Sequence, residues 1–252
     1  MTTESFKSNF IARTKSSWFL LVSLLIGMGQ FNDSKDFAIS AYEGLSSTMT
    51  HWVDYKKINR IDIGISKHFA KSVLGNAKLV KHSSKGGLLE YNYYFSSKFT
   101  LGLIYNGGRL SGYWVLSLND SFKPEIPFSN HSLLQASIKD IVRVPDTYMM
   151  DSFNLAYYME QEQLPRNAML LKRYLGWVGY GASTEQNNDS AIKQLITSSA
   201  PAEQESAMNS KTVELFERAR SESAPNLFAL GEVDAEQMAD SLLTRAEYEY
   251  LK

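Results

Sequence analysis

Residues 88–118 read LLEYNYYFSSKFTLGLIYNGGRLSGYWVLSL. In the first run Leu89, Tyr91, Tyr93 and Phe95 alternate with Leu88, Glu90, Asn92 and Tyr94. After Ser96-Ser97-Lys98, the residues Phe99, Leu101, Leu103 and Tyr105 alternate with Thr100, Gly102 and Ile104. Asn106-Gly107-Gly108 then supplies residues that tolerate positive φ, the chemistry of a tight hairpin turn. The third run sets Leu110, Trp114, Leu116 and Leu118 against Ser111, Tyr113, Val115 and Ser117. Period two in three successive runs predicts a three-stranded antiparallel meander with one buried face.

Upstream, Ser66 can cap a short helix running through Leu74, and Gly75 suits its C-terminal stop. Phe69 and Val73, with Ile65, form its inner face and are expected to pack on Leu89, Tyr91, Leu101, Leu103 and Trp114. Together, Ile63-Gly64-Ile65-Ser66, Val73-Leu74-Gly75 and the tyrosine-rich strands with their Asn-Gly turn resemble BamE (SmpA/OmlA) and related BLIP-like domains. The resemblance spans residues 62–118, under a quarter of the chain. It implies a small extracytoplasmic module with helices on a three-stranded sheet, working by binding other proteins in envelope assembly or enzyme inhibition. The chain departs from the family at Asn76-Ala77, where proline often follows the glycine. With no cysteine anywhere, it also has no lipobox.

At the N-terminal end, residues 18–31 (WFLLVSLLIGMGQF) carry no charge. Lys7, Arg13 and Lys15 precede them against one acid, Glu4, a bias that keeps this flank cytoplasmic and predicts translocation of the rest. The expectation is therefore membrane contact through residues 16–31 in a single-pass protein. Its C-terminal domain would be extracytoplasmic, facing the periplasm in a bacterium. As a helix the run rises about 21 Å against a hydrocarbon core of roughly 30 Å. Extension back to Ser16 with Lys15 and Arg13 snorkelling would make an uncleaved signal-anchor. A signal peptide cleaved near Gly27-Met28-Gly29 and a buried core helix are the alternatives. Beyond it, Ala38, Tyr42, Leu45, Met49 and Trp52 recur at four- and three-residue steps on one helical face. That seam can join two copies of the chain or pack on the chain's own domain.

Lys123-Pro124-Glu125-Ile126-Pro127 breaks the chain after the meander, since prolines so close fit neither helix nor central strand. Leu133, Leu134, Ile138, Ile141 and Val142 suit an amphipathic helix, while residues 154–159 fit helix or strand. Residues 170–180 are apolar and aromatic, and residues 183–204 are rich in Ser, Ala, Asn and Gln. Thr212–Arg220 and Asp234–Leu251 read as solvated helices, the second with Asp234 and Gln237 as a capping box. The organisation expected is a cytoplasmic N-terminus and membrane segment (1–31), a juxtamembrane helix (32–60), an α+β domain containing the meander (61–183), a polar linker (184–209) and a helical tail (210–252).

Composition excludes several chemistries. A formal net charge of −1 lacks the basic footprint of a nucleic-acid binder. The absence of cysteine removes disulfides, thiolate metal sites and a cysteine nucleophile. His51, His68, His82 and His131 share no metal-ligand spacing. Gly86-Gly87 and Gly107-Gly108 lack the rest of a phosphate-cradling loop, and Ser190–Lys193 falls in the polar stretch. Glu160 and Glu162 would share a face if extended, and solvated surface is the plainer expectation for them. Tyr91 and Tyr93 read as core, which leaves Tyr94 and Tyr113 as the candidate interaction surface. No catalytic, cofactor-binding or metal-ligating residue is assigned. The function expected is a membrane-tethered, extracytoplasmic protein-interaction module rather than an enzyme. An enzyme whose carboxylates converge only in three dimensions, and a scaffold oligomerising through residues 38–52, are the alternatives.

Overall fold

Eight strands form a single sheet in the order β1-β2-β3-β4-β8-β7-β6-β5, and every neighbouring pair is antiparallel in the computed structural model. The structure describes residues 51–83, 88–152, 156–168, 170–183, 189–198 and 210–251. The chain divides into two compact units, residues 1–56 and 57–252. Of the first, residues 51–56 are described and carry the start of helix α1 (Trp52–Ile58), where Lys56 lies 4.9 Å from the Trp52 ring centroid.

In the second unit, helix α2 (Lys67–Leu74) begins as its sequence suggests. Ser66 accepts from the Phe69 N–H at its N-cap, and Gly75, at φ 83°, closes it. Strands β1 (Leu79–His82), β2 (Leu89–Phe95), β3 (Phe99–Asn106) and β4 (Arg109–Ser117) follow as a meander. A second meander starts after the short helix α3 (Ile138–Ile141), with β5 (Thr147–Asp151), β6 (Tyr157–Gln163) and β7 (Lys172–Val178). Helices α4 (Asp189–Ser198) and α5 (Ser210–Glu222) precede β8 (Leu227–Gly231), which enters between β4 and β7 and joins the meanders. Helices α6 (Ala235–Asp240) and α7 (Arg245–Leu251) end the described chain, α6 carrying the Asp234–Gln237 capping box.

Register places side chains in rows across the sheet, because directly opposed residues of an antiparallel pair share a face. One row runs Leu79, Tyr93, Gly102, Trp114, Ala229, Tyr174, Gln161 and Thr147. On this face Trp114 closes over Gly102, where a Cβ would come within 2.2 Å of the indole. The segment 233–243 covers it: Met238, Leu242 and Leu243 join Tyr93, Trp114 and Tyr174 in one apolar cluster. Tyrosine hydroxyls tie that cover to the sheet, Tyr93 donating to the Ser241 carbonyl at 2.9 Å and Tyr174 to that of Val233 at 2.7 Å. The opposite face is buried too. There Tyr158 and Trp177 pack against Ile138 of α3, Ile192, Leu195 and Ile196 of α4 and Ala219 of α5.

This architecture corrects the expected fold class. The three predicted runs are β2, β3 and β4, but they are part of an eight-stranded sheet. Residues 210–252 are no helical tail, since Leu227–Gly231 is a fully buried inner strand. The single-face expectation fails for the same reason: with both faces covered, every residue of β3 except Asn106 is buried. Leu101 and Leu103 lie on the face opposite Tyr91 and Trp114, because Tyr91 pairs with Ile104 and Trp114 with Gly102. Phe69 is 39% exposed under the Arg60 guanidinium, and Ala70 is the buried residue of α2.

The membrane assignment is corrected as well. No helix among the described residues is long and apolar enough to cross a membrane, so the N-terminal membrane helix, the single-pass topology and the extracytoplasmic location are not retained. The physical weakness is one of length, since a charge-free run rising about 21 Å falls short of a roughly 30 Å hydrocarbon core. Residues 16–31 themselves, like Ala38, Tyr42, Leu45 and Met49 of the seam, lie outside the described residues. Trp52, the last seam position, is 57% exposed in α1.

Candidate functional site

A second row of side chains crosses the other face: Leu103, Tyr113, Leu230, Arg173 and Glu162. Its middle forms the floor of a cleft of about 320 Å³. Tyr113 and Leu230 line that floor with Phe228, which meets Tyr113 edge-on at 6.2 Å between ring centroids. One wall comes from residues 58–62 and carries Asp62. It is pinned to the start of β4, with Gly64 N–H donating to the Leu110 carbonyl at 2.8 Å and Leu110 N–H to that of Ile65 at 2.9 Å. Arg109 steadies the β4 end of this contact through a two-pronged pair with Glu232 at 2.6 and 2.9 Å.

The opposite wall is the proline-bounded loop that interrupts the sequence pattern. A bridge between Glu125 and Ser132, with Ile126 N–H donating to the His131 carbonyl at 2.9 Å, folds it into a narrow finger. At its tip Phe128 adopts φ 56° and leaves its ring 57% exposed beside the cleft. Positive φ is costly for a bulky residue, on the order of 1–3 kcal/mol, and persists only where surrounding structure imposes it. Arg173 imposes it. Its guanidinium, 5% exposed, donates to the carbonyls of Phe128 at 2.8 Å and Pro127 at 3.1 Å, and pairs with Glu162 at 2.5 Å.

The charged groups in the cleft are acidic, beside the neutral Asn59 and Ser129. Asp62 and Glu125 are exposed carboxylates, and no lysine, arginine or histidine lines the cavity. The Tyr113 hydroxyl has no hydrogen-bond partner among the described residues. Burial, then the Asp62 carboxylate, raises its pKa, so it remains a neutral phenol. No protein family, curated protein or solved structure matches the chain. The site is therefore read from its own geometry.

Tyr113, a candidate surface residue from the sequence, is 5% exposed and stands in the cleft floor. Tyr94, the other, is half-buried on β2 and is not part of the cleft. No pattern in the sequence marks Phe128, Asp62 or Glu125 as site residues. The available signal was a large aromatic residue directly after Pro127, where the chain has nothing of its own to bury it.

Glu160 sits on the same face as Glu162 but belongs to the core. It is inaccessible and accepts from Arg220 at 2.6 and 3.2 Å and from the Tyr158 hydroxyl at 2.6 Å. Burial pushes its carboxyl above the ordinary range, against those hydrogen bonds. Arg220 also donates to the Val142 carbonyl at 2.6 Å, and Glu217, its second carboxylate partner, pairs with Lys139 at 2.8 Å. The network clasps α3 and α5 to β6. A wider depression of about 480 Å³, lined by Thr147, Met149, Gln161 and residues 234–236, offers acidic groups already used in part for capping. Among the described residues no group of three or more His, Asp or Glu side chains is placed to hold a metal ion.

Proposed function

We propose that the chain is a protein-binding module whose docking site is the cleft beside Phe128. The observation that carries this reading is Phe128 itself, a large apolar ring held in a strained backbone conformation and presented to solvent. Folding rewards such an arrangement poorly, because a ring more than half exposed gains little from burial and its backbone conformation has to be held by the hydrogen bonds from Arg173. An aromatic anchor beside a part-apolar pocket is the usual centre of a binding hot spot. The resemblance of residues 62–118 to BamE and BLIP-like modules points the same way and is part of the proposal.

A photo-crosslinking residue at position 128 of the full chain, in its native cell, tests the reading. A discrete adduct should form there and not from the control position Val144, which is more exposed still. The adduct protein, once purified, should bind the parent chain saturably and bind Phe128→Ala at least roughly tenfold more weakly, as loss of a hot-spot residue requires. Identical adducts at both positions, or undiminished binding by Phe128→Ala, would sink the proposal.

A further inference from the structure

We infer that the cleft receives a basic side chain, arginine above all, presented by the partner protein; this rests on the docking reading above. The guest is specified by what lines the cavity and by what the lining lacks. Asp62 and Glu125 form no ion pair among the described residues, and the Asp62 carboxylate is engaged only by the N–H of Ile63 at 2.8 Å. Two unneutralised carboxylates at one cavity mouth favour a cation. Aromatic faces favour one too, and Tyr113, Phe128 and Phe228 all border this cavity.

The floor adds a polar group that a guest can engage. Tyr113 is nineteen-twentieths buried and lines the cavity, yet its hydroxyl finds no hydrogen-bond partner among the described residues. The hydroxyl oxygen itself is not shut off from solvent, so it is free to hydrogen-bond a guest that enters the cleft. Beside Asn59, Pro127 and Ser129, the lining includes the aliphatic side chains of Ile58, Ile61, Ile126 and Leu230. It suits the methylene stem that a long basic side chain lays along apolar surface.

Size narrows the guest further. About 320 Å³ is at the bottom of the roughly 300–1,000 Å³ range of small-molecule sites, room for one side chain. Arginine fits better than lysine, because a planar guanidinium can stack on the aromatic rings while forking to a carboxylate. A protein source fits better than a free amine. Phe128, more than half exposed at the cavity's edge, offers apolar surface beyond the guest side chain that neighbouring residues of a longer chain would cover.

The test titrates the full chain by calorimetry with a short Gly/Ser-rich peptide bearing a central arginine. The same peptide with norleucine or glutamate in that position serves for comparison. The arginine peptide should bind saturably, roughly tenfold or more tighter than the norleucine peptide, as one charge-assisted contact supplies. Its binding should weaken with added salt and by a similar factor in Asp62→Asn/Glu125→Gln, whose melting transition should match the parent's. Asparagine at position 62 keeps the acceptor for Ile63, so misfolding is separable from lost charge. Equal binding of the arginine and norleucine peptides overturns the inference and leaves an apolar docking cleft standing. Absence of binding by every peptide overturns it too. Should free arginine amide bind while position 128 crosslinks to no partner, the docking reading falls, and the protein source with it.

Discussion

Arg173 and Phe128 are 45 residues apart in sequence, and the buried guanidinium of the first holds the carbonyl of the second at 2.8 Å. One planar group thereby reaches two loop carbonyls and Glu162 on the adjacent strand. A lysine ammonium is a point charge and cannot span all three. Arg173→Lys should lose about 1.5–3 kcal/mol, the worth of a hydrogen bond to a charged group, and release the finger that carries Phe128. Urea melts measure the first effect, and crosslinking yield from position 128 the second. A lysine variant as stable as the parent would show that Arg173 is not the clamp.

Phe128→Asn separates strain from function. Asparagine tolerates the left-handed region, and the ring it replaces is mostly exposed. Stability should hold or rise by up to about 1 kcal/mol while partner binding collapses, a trade expected of a residue kept for function. Destabilisation beyond about 1 kcal/mol would mean the ring is structural.

The parts of this fold legible in the sequence are those specified by neighbours. Ser66 and Gly75 bracket α2, Asp234 and Gln237 cap α6, and Asn106-Gly107-Gly108 turns β3 into β4, all within a few residues. What was hidden depends on distant pairing. Leu227–Gly231 is five apolar residues with no alternation to mark a strand, because both its faces and both its edges are covered. Leu101 and Leu103 could not be placed on a face without knowing that Gly102 faces Trp114. Glu160 reads as surface until Arg220, 60 residues on, arrives beside it. The cleft combines residues 58–62, Tyr113 of β4, a proline loop, and Phe228 and Leu230 of β8, so no single stretch announces it. Tyr113 alone was foreseeable, as an aromatic on a strand face.

Glu160 and Arg220 should behave as one unit. Each is buried, at 0% and 3% side-chain exposure, so removing either leaves the other as an uncompensated buried charge. Glu160→Ala or Arg220→Met should each cost about 3–5 kcal/mol. Glu160→Leu/Arg220→Met, which removes both charges and retains volume, should cost well under the sum of the two single changes. Additive losses in denaturant titration would show the pair to be uncoupled.

Alkaline pH should unfold the protein through its tyrosines. Burial lifts Tyr91 from its ordinary value of 10.0 to about 12, although Ser83 works against this and the Asp240 carboxylate, to which it donates at 2.8 Å, works with it. Burial, with Asp151 adding to it, takes Tyr157 to about 12 as well. Tyr93, Tyr105, Tyr158, Tyr174 and Tyr180 are raised further in the same direction, burial leading in each. A phenol raised on folding keeps its proton in the native state while the unfolded chain gives its own up. Between pH 10 and 12 the native state therefore binds more protons than the unfolded one, and stability falls as pH rises. Each buried phenol contributes up to about 1.4 kcal/mol per pH unit across its own window. The contribution is fully present below pH 10 and is spent for Tyr91 and Tyr157 near pH 12. Tyrosinate absorbance should then show a steep, late step that coincides with loss of near-ultraviolet circular dichroism, since the core hydroxyls ionise only on unfolding. A single gradual titration centred near pH 10 with the dichroism intact would mean these side chains are open to water, and that the C-terminal cover over Tyr93, Trp114 and Tyr174 is not in place.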